Sequence, residues 1–356
     1  MTTPAPQVPV PPSAPLFAPP MSPIAPAISR AARALPADAL VGGLAFHRLI
    51  FARRRSGWWT PLVTGILGLA IYLGFLVFVM VVIGIALLGD PARLDDLGRL
   101  GQSGGVDMGD PLMVAILLGT IALMLPAYIL ASLIVNGPRV GLVSSAAGRL
   151  RWRWMLRCGA LAVGVSVVLT AVGFLLPGAM EEPGTPVPAA TWPITLVIVL
   201  LLVPVQAAAE EYIFRGYLMQ SIGRWLRHPA FAILLPVPLF VLGHGYDLLG
   251  QIGVGLFAVA AGWLTWRTGG LEAAIALHVV NNLSAFLLSL ASGSSPTEST
   301  TGLVSFLWSF LLIAGYVALV EWMLTRRPLP RTLLLPPPAP AWGTYAAAMP
   351  SASRIV

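Results

Sequence analysis

Residues 194–215 read ITLVIVLLLVPVQAAAEEYIFR, an apolar run of membrane-spanning length that ends on two glutamates and an arginine. About 20 consecutive apolar residues in a helix cross a hydrocarbon core of ~30 Å. The run therefore reads as a span. A charged side chain inside a span costs several kcal/mol, so Glu210, Glu211 and Arg215 are candidates for function from the outset.

The same apolar length recurs on both sides of this run. Eight stretches stand out, near 61–88, 112–135, 157–177, 192–215, 229–246, 248–267, 271–291 and 302–324. Of 356 residues, 57% are hydrophobic and 10% charged, against roughly 25% charged in an ordinary soluble domain. Mean hydropathy is +0.84. The expected fold class is all-α, a polytopic transmembrane helical bundle of about eight spans. The fifth stretch is short and carries Pro229, Pro236 and Pro238. Helix breakers in a span are tolerated where neighbouring protein resolves the freed backbone groups, as happens beside a functional cavity.

The net charge of +7 comes from arginine alone, since the sequence holds no lysine. The arginines sit between apolar runs and not on one face, so the lipid bilayer is the expected partner and nucleic acid is not. Arg48, Arg53, Arg54 and Arg55 precede the first span, and Asp90, Asp95, Asp96, Asp107 and Asp110 crowd the next loop. Arg139, Arg149, Arg151, Arg153 and Arg157 then lie between the second and third spans. Glu181 and Glu182 follow, then Arg224 and Arg227, and Arg326 and Arg327 close the series. By the positive-inside rule both termini are expected in the cytoplasm. Four regions result: a disordered Pro/Ala-rich tail at 1–40, a three-span membrane region at 41–190, a five-span membrane region at 191–325 and a Pro-rich tail at 326–356. No charged stretch followed by an apolar one opens the chain, so a cleavable signal peptide is not expected. A single cysteine, Cys158, permits neither an internal disulfide nor a cysteine metal cluster. All-arginine basic usage with Ala, Pro and Gly richness suggests a GC-rich bacterial genome and hence a plasma membrane.

Ionisable and strongly polar residues within the spans concentrate in the second half: Glu210, Glu211 and Arg215 in the fourth, His244 in the fifth, His278 with Asn282 in the seventh. Glu211 and Arg215 are four apart and can pair on one helix face. Glu210 points about 100° away and can face a cavity. Singly, each has a bland reading. Glu211 with Arg215 makes a structural ion pair, His244 between two glycines caps a helix, and Asn282 makes an interhelical hydrogen bond. Glu272 and Glu321 sit near span ends and read as reaching the headgroups. Jointly they suit one chemistry. A carboxylate and an imidazole can deprotonate a water for attack on a carbonyl, while a second imidazole and an amide hold the oxyanion. No Gly-x-Ser-x-Gly, His-Glu-x-x-His or phosphate-binding loop occurs.

Three of these groups resemble one family. Glu210-Glu211-Tyr-Ile-Phe-Arg215 is similar to the Glu-Glu-x-x-x-Arg motif of the CPBP intramembrane proteases, which include type II CAAX prenyl proteases and bacterial abortive-infection proteins. Phe240-Val-Leu-Gly-His244 resembles the family's Phe-x-x-x-His, and His278-Val-Val-Asn-Asn282 its His-x-x-x-Asn. The resemblance covers roughly 190–295. It implies an endopeptidase in which Glu210 and His244 activate water, His278 and Asn282 form the oxyanion hole, and Glu211 and Arg215 support them. It leaves a metal-dependent and a glutamate mechanism open; a zinc ion would draw on Glu210, His244 and His278. The implied partner is a protein or peptide substrate. One tension remains. Glu210 and His278 read as lying near the cytoplasmic ends of their spans, whereas His244 lies ~22 Å beyond Pro229 on an unbroken helix. A transporter or channel using the same Glu and His residues, and a non-catalytic scaffold acting through the tails, are the competing classes.

Overall fold

The computed structural model describes residues 43–103, 106–137, 139–175, 184–297 and 301–335. Of the segments expected as tails, 1–40 lies outside this range, as does 326–356 from 336 onward. Among the described residues the protein is a helical bundle with seven helices long and apolar enough to cross a bilayer. These are α1 (Thr60–Ala86), α3 with α4 (Pro111–Ala122, Met124–Asn136), α5 (Trp152–Leu175), α6 with its continuation α7 (Trp192–Glu211, Met219–Trp225), α10 (Leu248–Thr268), α11 (Glu272–Ser292) and α12 (Leu303–Arg326). A short α2 (Pro91–Ser103) joins the first two.

The fifth apolar stretch is not a long helix. It forms two six-residue helices, α8 (Pro229–Leu234) and α9 (Val237–Leu242), followed by non-helical backbone to Asp247. Proline explains the break. Pro236 has no N–H to give, so the helical bonding cannot run on through it, while Pro238 sits in the first turn of α9, where its missing donor is no loss.

Contacts between distant loops mark the two ends of the bundle. At one end strand β1 (Leu44–Ala45) pairs antiparallel with β2 (Thr332–Leu333). Beside it His47 bonds the Arg227 carbonyl at 3.0 Å, Ser145 bridges to Gly270, and Arg151 donates to the Thr268 carbonyl at 3.0 Å. At the other end the Val106 N–H reaches the hydroxyls of Ser295 and Thr297, Gly184 bonds Ser292, and the Thr301 N–H donates to Asp247 at 3.2 Å. Between Arg227 and Asp247 the chain therefore also runs the length of the bundle, in α8, α9 and the stretch after them.

The helices pack in the order that places α6, α10 and α11 around the fifth stretch. Trp154, Cys158, Phe240, Phe257, Leu264, Leu277 and Tyr316 belong to one buried cluster, and the Tyr316 hydroxyl donates to the Ala273 carbonyl at 2.8 Å. On the periphery α1 shows apolar side chains all round, with Ile66 71% and Phe78 68% exposed. Water would not tolerate so continuous a surface, and lipid covers it at no cost. The protein is an integral membrane protein.

One reading of the sequence is corrected at the strand end. Glu272 does not reach the headgroups. It is fully buried and takes two bonds from the Arg151 side chain, at 2.8 and 2.6 Å, because the 139–151 connection folds over the start of α11. Phe46–Ala52 forms a wholly buried 3-10 helix whose Arg48 donates to the Gly223 carbonyl at 2.7 Å, and Arg53 bonds Ser132. Glu321 pairs with Arg267 at 2.9 Å.

Candidate active site

Helix α6 carries the first half of the site. Ala207, Ala208 and Ala209 are among the best helix formers and keep the turn narrow, so the helix survives the interior Pro204 and delivers Glu210 and Glu211 into the bundle. The next seven residues, Tyr212–Leu218, are π-helical before α7 resumes. Such widened turns concentrate at functional sites. The span thus continues to Trp225, ten residues beyond the end at 215 read from sequence. Glu210 consequently lies about 22 Å of helix from that end and not just inside it. That lengthening, with the break at Pro236, removes the depth tension: the carboxylate is deep, and the fifth stretch brings its own residues down to it.

Glu211 and Arg215 behave as the pair their spacing implies. Both are buried, with Nη1 donating to Glu211 Oε1 at 2.8 Å. Arg215 also donates to the Ala258 carbonyl of α10 at 3.1 Å, and its guanidinium lies 4.5 Å from the Phe240 ring centroid. One cation therefore ties α6 to α9 and α10.

Glu210 and Glu211 flank His278 of α11. His278 donates from Nδ1 to Glu211 Oε1 at 2.8 Å, and its Nε2 lies 3.2 Å from Glu210 Oε2. An ionised carboxylate only accepts, so both contacts are hydrogen bonds at once when the ring carries both protons. Phe257 meets the His278 ring edge to face, with centroids 4.8 Å apart. One turn further along α11, Asn282 Nδ2 donates to Gln206 Oε1 at 3.1 Å, and Gln206 Nε2 donates to Glu210 Oε2 at 2.8 Å.

His244 enters from the non-helical stretch after α9. Its Nδ1 donates to the Phe240 carbonyl at 2.8 Å, which fixes the tautomer and leaves the Nε2 lone pair free. The ring lies 4.8 Å from that of Phe240, which is itself 6.1 Å from His278. His244 is half-buried and within electrostatic reach of Glu210.

All six residues singled out in the sequence thus gather around one polar cluster, Glu210, Glu211, Arg215 and His278 through direct bonds, Asn282 through Gln206 and His244 through Phe240. Two contributors were missed. Gln206 belongs to none of the three motifs, yet an amide one turn before Glu210 in an apolar run is a legible signal. Tyr246 stacks against His244, with ring centroids 6.0 Å apart. Nothing in its position along the chain separated it from an interfacial tyrosine. The three side chains offered to a zinc ion do not fit one in this arrangement. His278 has both ring nitrogens on carboxylates, and no three His, Cys, Asp or Glu side chains among the described residues gather closely enough to hold an ion.

Comparison with known proteins bears on this same region. Residues 191–284 match the family model described as type II CAAX prenyl endopeptidase Rce1-like. The uncharacterized protein YyaK of Bacillus subtilis (strain 168) is 34% identical over 95 residues, which make up 25% of this chain and 32% of that protein. The match thus spans about a third of the length of that relative. No solved structure matches. The Glu-Glu-x-x-x-Arg, Phe-x-x-x-His and His-x-x-x-Asn residues all fall within 191–284, the region that matches the Rce1-like model, and this match is consistent with the CPBP family.

Proposed function

We propose that the protein is an intramembrane endopeptidase that hydrolyses a peptide bond of a protein substrate at or within the membrane. The observation that carries this reading is a buried carboxylate, two imidazoles and an amide on three elements, gathered inside a bundle whose outer face suits lipid. The Rce1-like domain supports a peptidase on independent grounds.

In this mechanism Glu210 and the free Nε2 of His244 hold a water. As the water oxygen bonds the substrate carbonyl carbon, Glu210 takes its proton and the carbonyl electron pair moves onto oxygen. A protonated Glu210 is a poorer acceptor, so the Nε2–H of His278, held at the longer of its two contacts, turns to the oxyanion. Asn282 supplies its second amide hydrogen to the same oxygen. Collapse of the tetrahedral centre breaks the C–N bond, and the leaving amine takes the proton from Glu210. Glu211 and Arg215 hold His278 and Phe240 in place throughout. The strand end, which carries most of the arginines, faces the cytoplasm in this reading, and the membrane is a bacterial plasma membrane.

The test is cleavage of a quenched fluorescent membrane-peptide library by purified protein in liposomes, with and without a zinc chelator. Wild type should cleave; Glu210→Gln and His244→Ala should lose about 10²–10⁴-fold while staying folded. Full activity in both variants would sink the assignment. The chelator arm separates a glutamate from a metal mechanism.

A further inference from the structure

Gln206 stands in the apolar run of α6, 4% exposed, where a leucine of similar volume would cost nothing to bury. Both ends of its amide are nevertheless used. Nε2 donates to Glu210 Oε2 at 2.8 Å, and Oε1 accepts from Asn282 Nδ2 at 3.1 Å. Asn282 Oδ1 in turn accepts from Asn281 Nδ2 at 3.3 Å. The three amides and the carboxylate form a single chain running Asn281, Asn282, Gln206, Glu210.

That chain has a direction, and Glu210 sets it. An ionised carboxylate offers only acceptors, so the Gln206 amide must turn its nitrogen toward Glu210 and its oxygen toward Asn282. A Gln206 oxygen in turn requires the Asn282 nitrogen, not its oxygen, on that side. An isolated asparagine flips its amide freely, since its two ends are nearly isosteric. Linked through Gln206, Asn282 keeps its N–H groups toward the carboxylate. One hydrogen on Nδ2 is taken by Gln206 and the other remains for a substrate oxygen.

We infer that Gln206 is a positioning residue for the reaction proposed above: it fixes the amide orientation of Asn282 relative to Glu210, so that an oxyanion donor rather than an acceptor is presented when the carboxylate is ionised. This rests on the protease reading; Gln206 itself lies outside the three motifs, whose Glu210 and Asn282 it joins. Gln206 acts through Asn282 and Glu210, and its part in the reaction proposed is to orient them, not to contact the substrate or the attacking water.

The experiment compares wild type, Gln206→Met, Asn282→Ala and the double variant, in liposomes, on the peptide from the fluorescent library that wild type cleaves best. Gln206→Leu is carried alongside in case the methionine variant fails to fold, and thermal unfolding in detergent monitors both. Gln206→Met should lower kcat about 10- to 100-fold, a share of the loss that follows removal of an oxyanion donor. KM should change less than about threefold, since ground-state binding is untouched. In the Asn282→Ala background the same substitution should lower kcat by only a few-fold further, because Gln206 has lost the amide it orients. Full kcat in a folded Gln206→Met or Gln206→Leu variant would overturn the inference, as would a loss in kcat that adds in full to that of Asn282→Ala. A wild type that cleaves nothing in the library while remaining folded would overturn the protease reading itself, and this role with it.

Discussion

Glu211 is the most exacting side chain in the site because it serves two cations. Its Oε1 accepts from Arg215 and from His278, each at 2.8 Å, and the residue is fully buried. Removing it strands a guanidinium left, among the described residues, with the Ala258 carbonyl, two aromatic faces and the more distant charge of Glu210. Breaking a buried pair on one side is far worse than replacing both partners. Glu211→Ala should therefore lower unfolding stability by about 3–5 kcal/mol, measured by thermal or denaturant unfolding in detergent. The double change Glu211→Ala with Arg215→Met should recover most of it. If the double variant is as unstable as the single one, the damage comes from His278 losing its anchor and not from the stranded arginine. Glu210 and Glu211 are adjacent and chemically identical, yet the sequence already separated them. Spacing four before Arg215 assigned one to a pair and left the other for the cavity. What spacing did not reveal is that His278 touches both, because that contact is made across helices.

Among the elements, the fifth stretch shows where reading by hydropathy stops. Its apolar content places it in the bundle, and its prolines announce a break, but neither says that the chain leaves helix before His244. The break exists to seat that ring: Nδ1 bonds the last turn of α9 at Phe240, four residues back. The stretch is then anchored by Asp247, which accepts from the Gly250 N–H at 2.8 Å as the cap of α10 and from the Thr301 N–H at 3.2 Å. These two backbone donors hold the Asp247 carboxyl below its ordinary range. A carboxyl depressed in the folded state adds stability above its unfolded value, near pH 4, and loses that contribution as pH falls through the folded value. Unfolding midpoints in detergent should therefore drop between about pH 5 and pH 3 in wild type. In Asp247→Asn this part of the drop should be absent, the cap being weakened at every pH. An identical pH slope in the two proteins would show that Asp247 is not coupled to folding.

At the scale of the whole molecule, the apolar periods, the charge alternation and the three motifs made the helical bundle and most of the site legible, since each is local in sequence. The closure of the strand end was not, because it joins residues nearly the length of the chain apart. Leu44 pairs with Leu333 and Ala45 with Thr332, and Arg151 reaches Glu272, the Thr268 carbonyl and the Pro330 carbonyl. Gly269, at φ 71°, turns between α10 and α11 in a place where any Cβ would run into the backbone of Arg331. Residues 328–335 are thus part of the bundle, although their prolines and composition read as tail. This changes how the scaffold class should be tested. Removing 1–42 and 336–356 leaves every described contact in place, so a peptidase should keep its cleavage rate within about twofold and its unfolding midpoint within a few degrees. Cutting at 327 instead removes β2 and one of the two carbonyls that Arg151 uses, that of Pro330. That protein should unfold several degrees lower, with any loss of activity following its loss of folded protein. If the shorter cut abolishes cleavage by a protein that is still fully folded, the tails themselves carry function and the scaffold class regains weight. If both cuts leave stability unchanged, the strand pairing is a contact without consequence, and the bundle is held by its helices alone.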